Sequence, residues 1–231
     1  MTQKIHISFI ILVLILLSAF NLSAQDKNQV DASGRKQGYW EKRDPAGFLV
    51  YQGTFCDDRP LGEFKRYDER GKLKSVSMFR ENGIENITSV LYPDGSVMAS
   101  GKFTGQDKDS TWVYFNERKQ LIATEEYLKG RKHGIWKTFY ISGVVAEEIP
   151  YENDTVHGSW IKYFENGNPK EHIETDHGVY SGRYMIYFPG GNPRISGNYL
   201  NDRKEGIWTT YEESGEVSKV EEYRNGELMI R

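Results

Sequence analysis

Gly134-Ile135-Trp136-Lys137-Thr138-Phe139-Tyr140-Ile141-Ser142-Gly143 is a short strand-like run closed by a glycine. Stepping outward from Trp136 by 24 residues in both directions meets Trp40, Phe64, Thr88, Trp112, Trp160, Tyr184 and Trp208. All five tryptophans of the chain fall on this phase, here called position 0. Position −2 reads Gly38, Gly62, Asn86, Ser110, Gly134, Gly158, Gly182 and Gly206. Position +7 reads Gly47, Gly71, Gly95, Lys119, Gly143, Gly167, Gly191 and Gly215, and position +15 is aromatic in every copy but Thr175. A gapless period of this length is the signature of a repeat architecture, here eight copies.

Each copy reads as two strands. The first covers about −1 to +4, and the second, from about +9 to +15, alternates at period two as in Val145, Glu147, Ile149 and Tyr151. Asn166-Gly167, Asp94-Gly95 and Gly190-Gly191 are pairs that favour a two-residue turn with positive φ at both centres. This assigns Gly71, Gly95, Gly143, Gly167, Gly191 and Gly215 as structural turn glycines, with a polar loop such as Leu128 to His133 returning to the next copy. Strands, turn and loop fill the period and leave no room for a helix or a parallel crossover. The expected fold is therefore all-β: an elongated, twisted antiparallel sheet of tandem 24-residue β-hairpin repeats, each stabilised by its neighbours. A four-blade propeller of paired units is the rival. Position 0 and position +3 (Phe139, Tyr163, Tyr187, Tyr211) have opposite parity. Either aromatics occupy both faces, or a bulge realigns them. The third copy, with Asn86 and Thr88 for Gly and Trp, reads as drift rather than a bend, and Arg43 of the first copy as a polar cap.

Lys4, an apolar run from Ile7 to Phe20 and a small-residue end at Ala24 together read as a signal peptide over residues 1–24. A short linker, 25–33, and the array, 34–231, would follow. Cleavage removes one lysine and no acid, taking the net charge from −3 to −4, so nothing favours nucleic acid as a partner. The mature chain carries no transmembrane segment in this reading, and its place is the periplasm or the exterior. Cys56 has no second cysteine to pair with and sits at a position that accepts any residue.

No catalytic spacing is found. His133 and His157 share a phase in adjacent copies, and His172 and His177 stand five apart; both pairs read as loop histidines, with no metal site expected. Asp57, Asp58, Asp154 and Asp202 read as solvated turn residues. No nucleophile elbow or phosphate loop is present, so no enzyme activity and no cofactor are expected.

The motif Gly-x-Trp-x-x-aromatic-aromatic-x-x-Gly, seen at 134–143 and again from Gly158 to Gly167, resembles the bacterial MORN-repeat variant, from about Gly34 to Arg231. The resemblance implies a row of β-hairpins and protein-interaction or membrane-proximal scaffolding rather than chemistry. Some relatives of the variant are linked to antitoxins, and an exported chain fits that role poorly. A protein partner is the first expectation, a glycan the second, an immunity-like role the third. The binding candidates are two aromatic rows: Trp112, Trp136, Trp160, Tyr184 and Trp208, and Phe139, Tyr163, Tyr187 and Tyr211. The first row is read as core in preference to a ligand platform.

Overall fold

The computed structural model describes residues 26–230; the signal segment and its cleavage point lie outside them. The described residues form one sheet of 20 strands, all antiparallel, in which every strand pairs only with close neighbours in the chain. No pairing joins the first strands to the last, so the sheet is open and the propeller is excluded. The two-residue strand Gln29–Val30, inside the expected linker, already pairs with Gln37 and Lys36.

The hairpins follow the 24-residue frame, as Gly134–Phe139 with Val145–Glu152 shows. Their turns differ from the expected type. Within each copy the carbonyl of position +4 accepts the N–H of position +7, as in Gly143 N to Tyr140 O at 2.9 Å and Gly167 N to Phe164 O at 2.9 Å. Only the +7 residue has positive φ; Asp94, Asn166 and Gly190 do not. This is a three-residue loop closed by one left-handed residue, not a turn with two. The doubly left-handed turn sits instead between copies, at positions +17 and +18: Asp57-Asp58, Asn153-Asp154 and Asn201-Asp202 have φ between 49° and 72°. The expected polar loop is therefore mostly strand, as in Arg59–Tyr67 and Arg203–Tyr211. The aspartates there have structural work: Asp58, Asp154 and Asp202 accept the backbone N–H of Lys36, Lys132 and Tyr180 at 2.7–2.8 Å.

A register shift occurs between positions +2 and +3 in all eight hairpins, for example at Thr138/Phe139, where the partner strand carries the additional residue. The +3 side chain keeps its parity and lies on the opposite face from position 0. Both expected alternatives hold in part: a bulge is present, and aromatics occupy both faces. Most copies have a second irregularity where the left-handed residue at −2 meets the preceding strand, as between Gly53 and Thr54. The third copy is the exception. Leu73–Phe79 pairs with Glu85–Leu91 without a shift, and Asn86 is not left-handed. The residues a bulge would consume go into the longer loop at 80–84. Its lost glycine is thus neither drift nor a bend but the consequence of a regular ladder that needs no left-handed residue.

The fourth copy keeps both left-handed positions without glycine, at Ser110 (φ 59°) and Lys119 (φ 62°). A side chain there costs about 1–2 kcal/mol, and glycine relieves it at some entropic cost. Lys119→Gly should therefore raise stability by about 1 kcal/mol, read as a higher urea midpoint with unchanged slope. A lower midpoint would contradict the assigned turn.

Candidate functional site

Positions 0 and +15 lie on one face and interleave across the sheet into a ladder of rings. Trp40, Phe55, Phe64 and Phe79 follow one another at centroid separations of 6.2, 5.6 and 5.9 Å, mostly edge to face. Trp136 stands between Tyr127 and Tyr151 at 5.2 and 5.0 Å, and Trp208 between Tyr199 and Tyr223 at 5.1 and 6.2 Å.

How deeply a ring sinks is set by position +13 of the preceding copy. Where that residue is glycine the ring lies flat on the backbone: a Cβ on Gly53, Gly101 or Gly197 would come within 2.2–2.3 Å of Phe64, Trp112 or Trp208. These three rings are only 2–5% exposed. Where the preceding +13 residue is Glu125, Ile149 or Ile173, the rings of Trp136, Trp160 and Tyr184 are held off the backbone and stay half-buried. The indole N–H explains why tryptophan recurs. Trp112, Trp136 and Trp208 donate to the carbonyls of Lys102, Glu126 and Asn198 at 3.0, 2.8 and 3.2 Å, all at position +14, beside the irregular pairing. Trp160 donates instead to Glu147 Oε1 at 2.9 Å.

In four copies a lysine at position −4 roofs the ring. Lys36, Lys108, Lys132 and Lys204 place Nζ 4.9, 4.7, 4.3 and 4.3 Å from the ring centroids of Trp40, Trp112, Trp136 and Trp208. Each also covers the +15 ring of its own copy, Phe55, Tyr127, Tyr151 or Tyr223. The cation that an open aromatic platform would capture is already supplied by the chain. Trp112 and Trp208 present no free face to a ligand, and this corrects their inclusion among the binding candidates; Trp136, Trp160 and Tyr184 keep a partly exposed ring.

The second row is on the reverse face and half-buried throughout: Phe139, Tyr163, Tyr187 and Tyr211. Tyr163 donates to Glu148 Oε2 at 2.8 Å, and the other carboxylate oxygen, Oε1, receives Lys137 Nζ at 2.7 Å; that lysine holds the Glu148 carboxyl below its usual range. Tyr211 lies 3.3 Å from Ser196 Oγ. The turn glycines Gly71, Gly95, Gly143, Gly167, Gly191 and Gly215 all have positive φ.

Two arrangements escaped the sequence reading. The ring ladder is interrupted at the third copy, where Ser77, Thr88 and Asn86 form a buried hydroxyl–hydroxyl–amide relay with both links at 2.6 Å. The absent ring leaves a groove of about 290 Å³ between Phe79 and Phe103, with Arg66 at its border. The histidines also pair differently from either expectation: His157 meets His177, while His172 bonds Glu174 at 2.8 Å. Position −3 and position +17 of one copy are neighbours, a relation visible in sequence only once the inter-copy turn is placed.

Ring contact with glycine gives a sharp test. Gly101→Ala should cost about 1–3 kcal/mol by overpacking against Trp112. Gly190→Ala, with nothing within 4 Å and no positive φ, should be nearly silent. Equal melting of the two variants would refute the seat. The tyrosines supply a second test. Burial first, and then the bond to a glutamate, pushes Tyr163 up to about 12. Tyr114, Tyr127 and Tyr184 rise for the same two reasons, the first two sharing Glu125 and the third bonding Glu171. A raised folded-state value stabilises fully below the ordinary 10.0 and is lost as pH climbs through the window toward about 12. Stability should fall from pH 10 upward, and phenolate absorbance of the folded chain should lag behind that of the urea-unfolded chain. Coincident titrations would contradict the arrangement.

The comparisons agree with this frame. The MORN repeat variant family matches at residues 60–81, 132–153, 156–177 and 204–228. Each match begins at position −4, on the same 24-residue frame. No curated protein matches the chain. Among solved structures, a mutant of S. aureus TarM in complex with fondaparinux, alpha-GlcNAc-glycerol and UDP aligns at 14% identity and TM-score 0.32, over 42% of this chain and 19% of that one. The TcdB2-TccC3-Cdc42 structure aligns at 10% identity and TM-score 0.20, over 79% of this chain and 12% of that one. The chain thus spans less than a fifth of either, and neither likeness carries an argument. The four family matches, set on hairpins of one geometry, make this chain a carrier of MORN repeat variants.

Proposed function

We propose that the chain is an exported, non-enzymatic repeat scaffold in the cell envelope that holds a protein partner along the reverse face of the sheet. The observation that supports it most is the apolar surface there. Met78 and Ile87 are cross-strand partners, 52% and 51% exposed. Ile135, opposite Pro150, is exposed, and so are Ile207 and Val220 nearer the C-terminal end. With the half-buried row of Phe139, Tyr163, Tyr187 and Tyr211 they make a broad surface of aromatic and aliphatic groups, of the kind protein partners cover. MORN repeats in general bind proteins or membranes. The signal-like segment at residues 1–24 supports export. No helix among the described residues is long and apolar enough to cross a membrane.

A second reading has one observation in its favour. The groove between Phe79 and Phe103, with a hydroxyl and amide floor, offers ring faces and hydrogen bonds of the sort a sugar uses.

One experiment addresses both. Native protein from the envelope fraction should begin near Gln25, and as bait it should retain a partner. The triple variant Ile87→Lys, Ile135→Lys, Ile207→Lys should melt within a few degrees of wild type and lose that partner. Retention by the triple variant would overturn the reverse-face assignment, and an intact Met1 would overturn export. Binding of cell-wall oligosaccharide abolished by Asn86→Ala would promote the second reading.

A further inference from the structure

The turns between copies stack along one border of the sheet, and this brings positions −3 and +17 of each copy together. In the first copy Gln37 Nε2 donates to Asp57 Oδ1 at 2.7 Å. In the last, Glu205 Oε2 accepts the backbone N–H of Asn225 at 2.7 Å. In the copy built on Trp160 both positions are histidine. The rings of His157 and His177 lie 4.9 Å apart, and the residue before His177 is an aspartate that reaches both. Asp176 Oδ1 is 3.3 Å from His157 Nδ1 and 2.5 Å from His177 Nδ1. The donor atoms of the three side chains all lie within 4.8 Å of one another.

We propose that His157, Asp176 and His177 form a binding site for a divalent transition metal of intermediate softness, of which Zn²⁺ is the representative. Two imidazoles and one carboxylate suit such a metal, whereas Ca²⁺ and Mg²⁺ require oxygen donors. A tetrahedral ion about 2.0–2.2 Å from each donor needs those donors about 3.2–3.6 Å apart. The His157–Asp176 separation of 3.3 Å already has that value. The close His177–Asp176 contact must open by somewhat less than an ångström, a change that rotation of the largely exposed His177 side chain accommodates. The backbone beneath is held firmly. His177 and Gly178 form a left-handed turn at φ 47° and 89°. Gly178 N bonds Val156 O at 2.8 Å, and His157 N bonds Pro150 O at 3.1 Å. Three protein donors on an exposed turn leave the fourth position open to water or to a donor from another molecule. A bound ion also ties strand 158–163 to the turn that leads into the next copy, so loading stabilises the array locally. The site stands apart from the reverse face and does not rest on the proposed scaffold role.

The test uses the untagged mature chain and zinc chloride alone. Calorimetry should show one site of micromolar affinity, and saturating Zn²⁺ should raise the melting temperature. His157→Ala and His177→Ala should each weaken binding about ten-fold or more and abolish the thermal shift, while His133→Ala and His172→Ala behave as wild type. Cobalt substitution should give d–d bands that the His157→Ala chain lacks. Absence of uptake at millimolar Zn²⁺ would overturn the proposal. So would undiminished uptake by the doubly substituted chain with an unchanged circular dichroism spectrum.

Discussion

An aromatic ring lying flat on a backbone stripped of its side chain is the contact on which this sheet depends. A single-layer sheet has no second sheet or helix layer to bury its apolar groups. The chain solves this within the layer: Phe64, Trp112 and Trp208 sink onto Gly53, Gly101 and Gly197 until almost nothing of the ring is exposed. The seat requires glycine below and is flanked by +15 rings. Over Trp112 and Trp208 it also has an ammonium group, from Lys108 and Lys204. Each ring is thus covered from several directions, with covering groups drawn from its own copy and the one before it. Stability in such an array is a nearest-neighbour property, since no copy holds a complete ring environment alone.

The backbone irregularities serve the same contact. A left-handed residue at −2 and the shift opposite it leave position +13 out of register, and the indole N–H reaches the adjoining +14 carbonyl, as in Trp112 to Lys102 and Trp208 to Asn198. Phenylalanine and tyrosine lack that donor at that height, so tryptophan prevails at position 0. The third copy shows the converse. With no left-handed residue there is no irregularity, no carbonyl for an indole, and a small polar relay of Ser77, Thr88 and Asn86 closes the ladder instead. The same change opens the groove between Phe79 and Phe103, so one local switch of pairing alters both packing and surface chemistry.

The two faces consequently do different work. The ring face is largely occupied by the chain's own side chains, and its charged groups are spent on its own aromatics. The reverse face keeps Met78, Ile87, Ile135 and Ile207 exposed beside a half-buried tyrosine row, which is where an external surface has something to bury. The turn border is a third environment, where polar side chains from positions −3, +16 and +17 converge, as His157, Asp176 and His177 do.

Much of this was legible in the amino-acid order. A period of 24 without gaps, glycine at −2 and +7, and rings at 0 and +15 determine an antiparallel array of hairpins, because only equivalent environments repeat at a fixed interval. What a linear period leaves open is the pairing offset and the conformation of each connection, since these depend on which residues across the sheet compete for the same space. Asp94-Gly95 and Asn166-Gly167 carry a two-residue turn signal, yet the bulge at +2/+3 converts each into a three-residue loop and leaves the doubly left-handed turn to Asp57-Asp58 and Asn201-Asp202. Burial within the tryptophan row likewise could not be read from the tryptophans. It is decided by the +13 residue of the previous copy, glycine beneath Trp112 but isoleucine beneath Trp160, and that residue becomes a neighbour only when the strands pair.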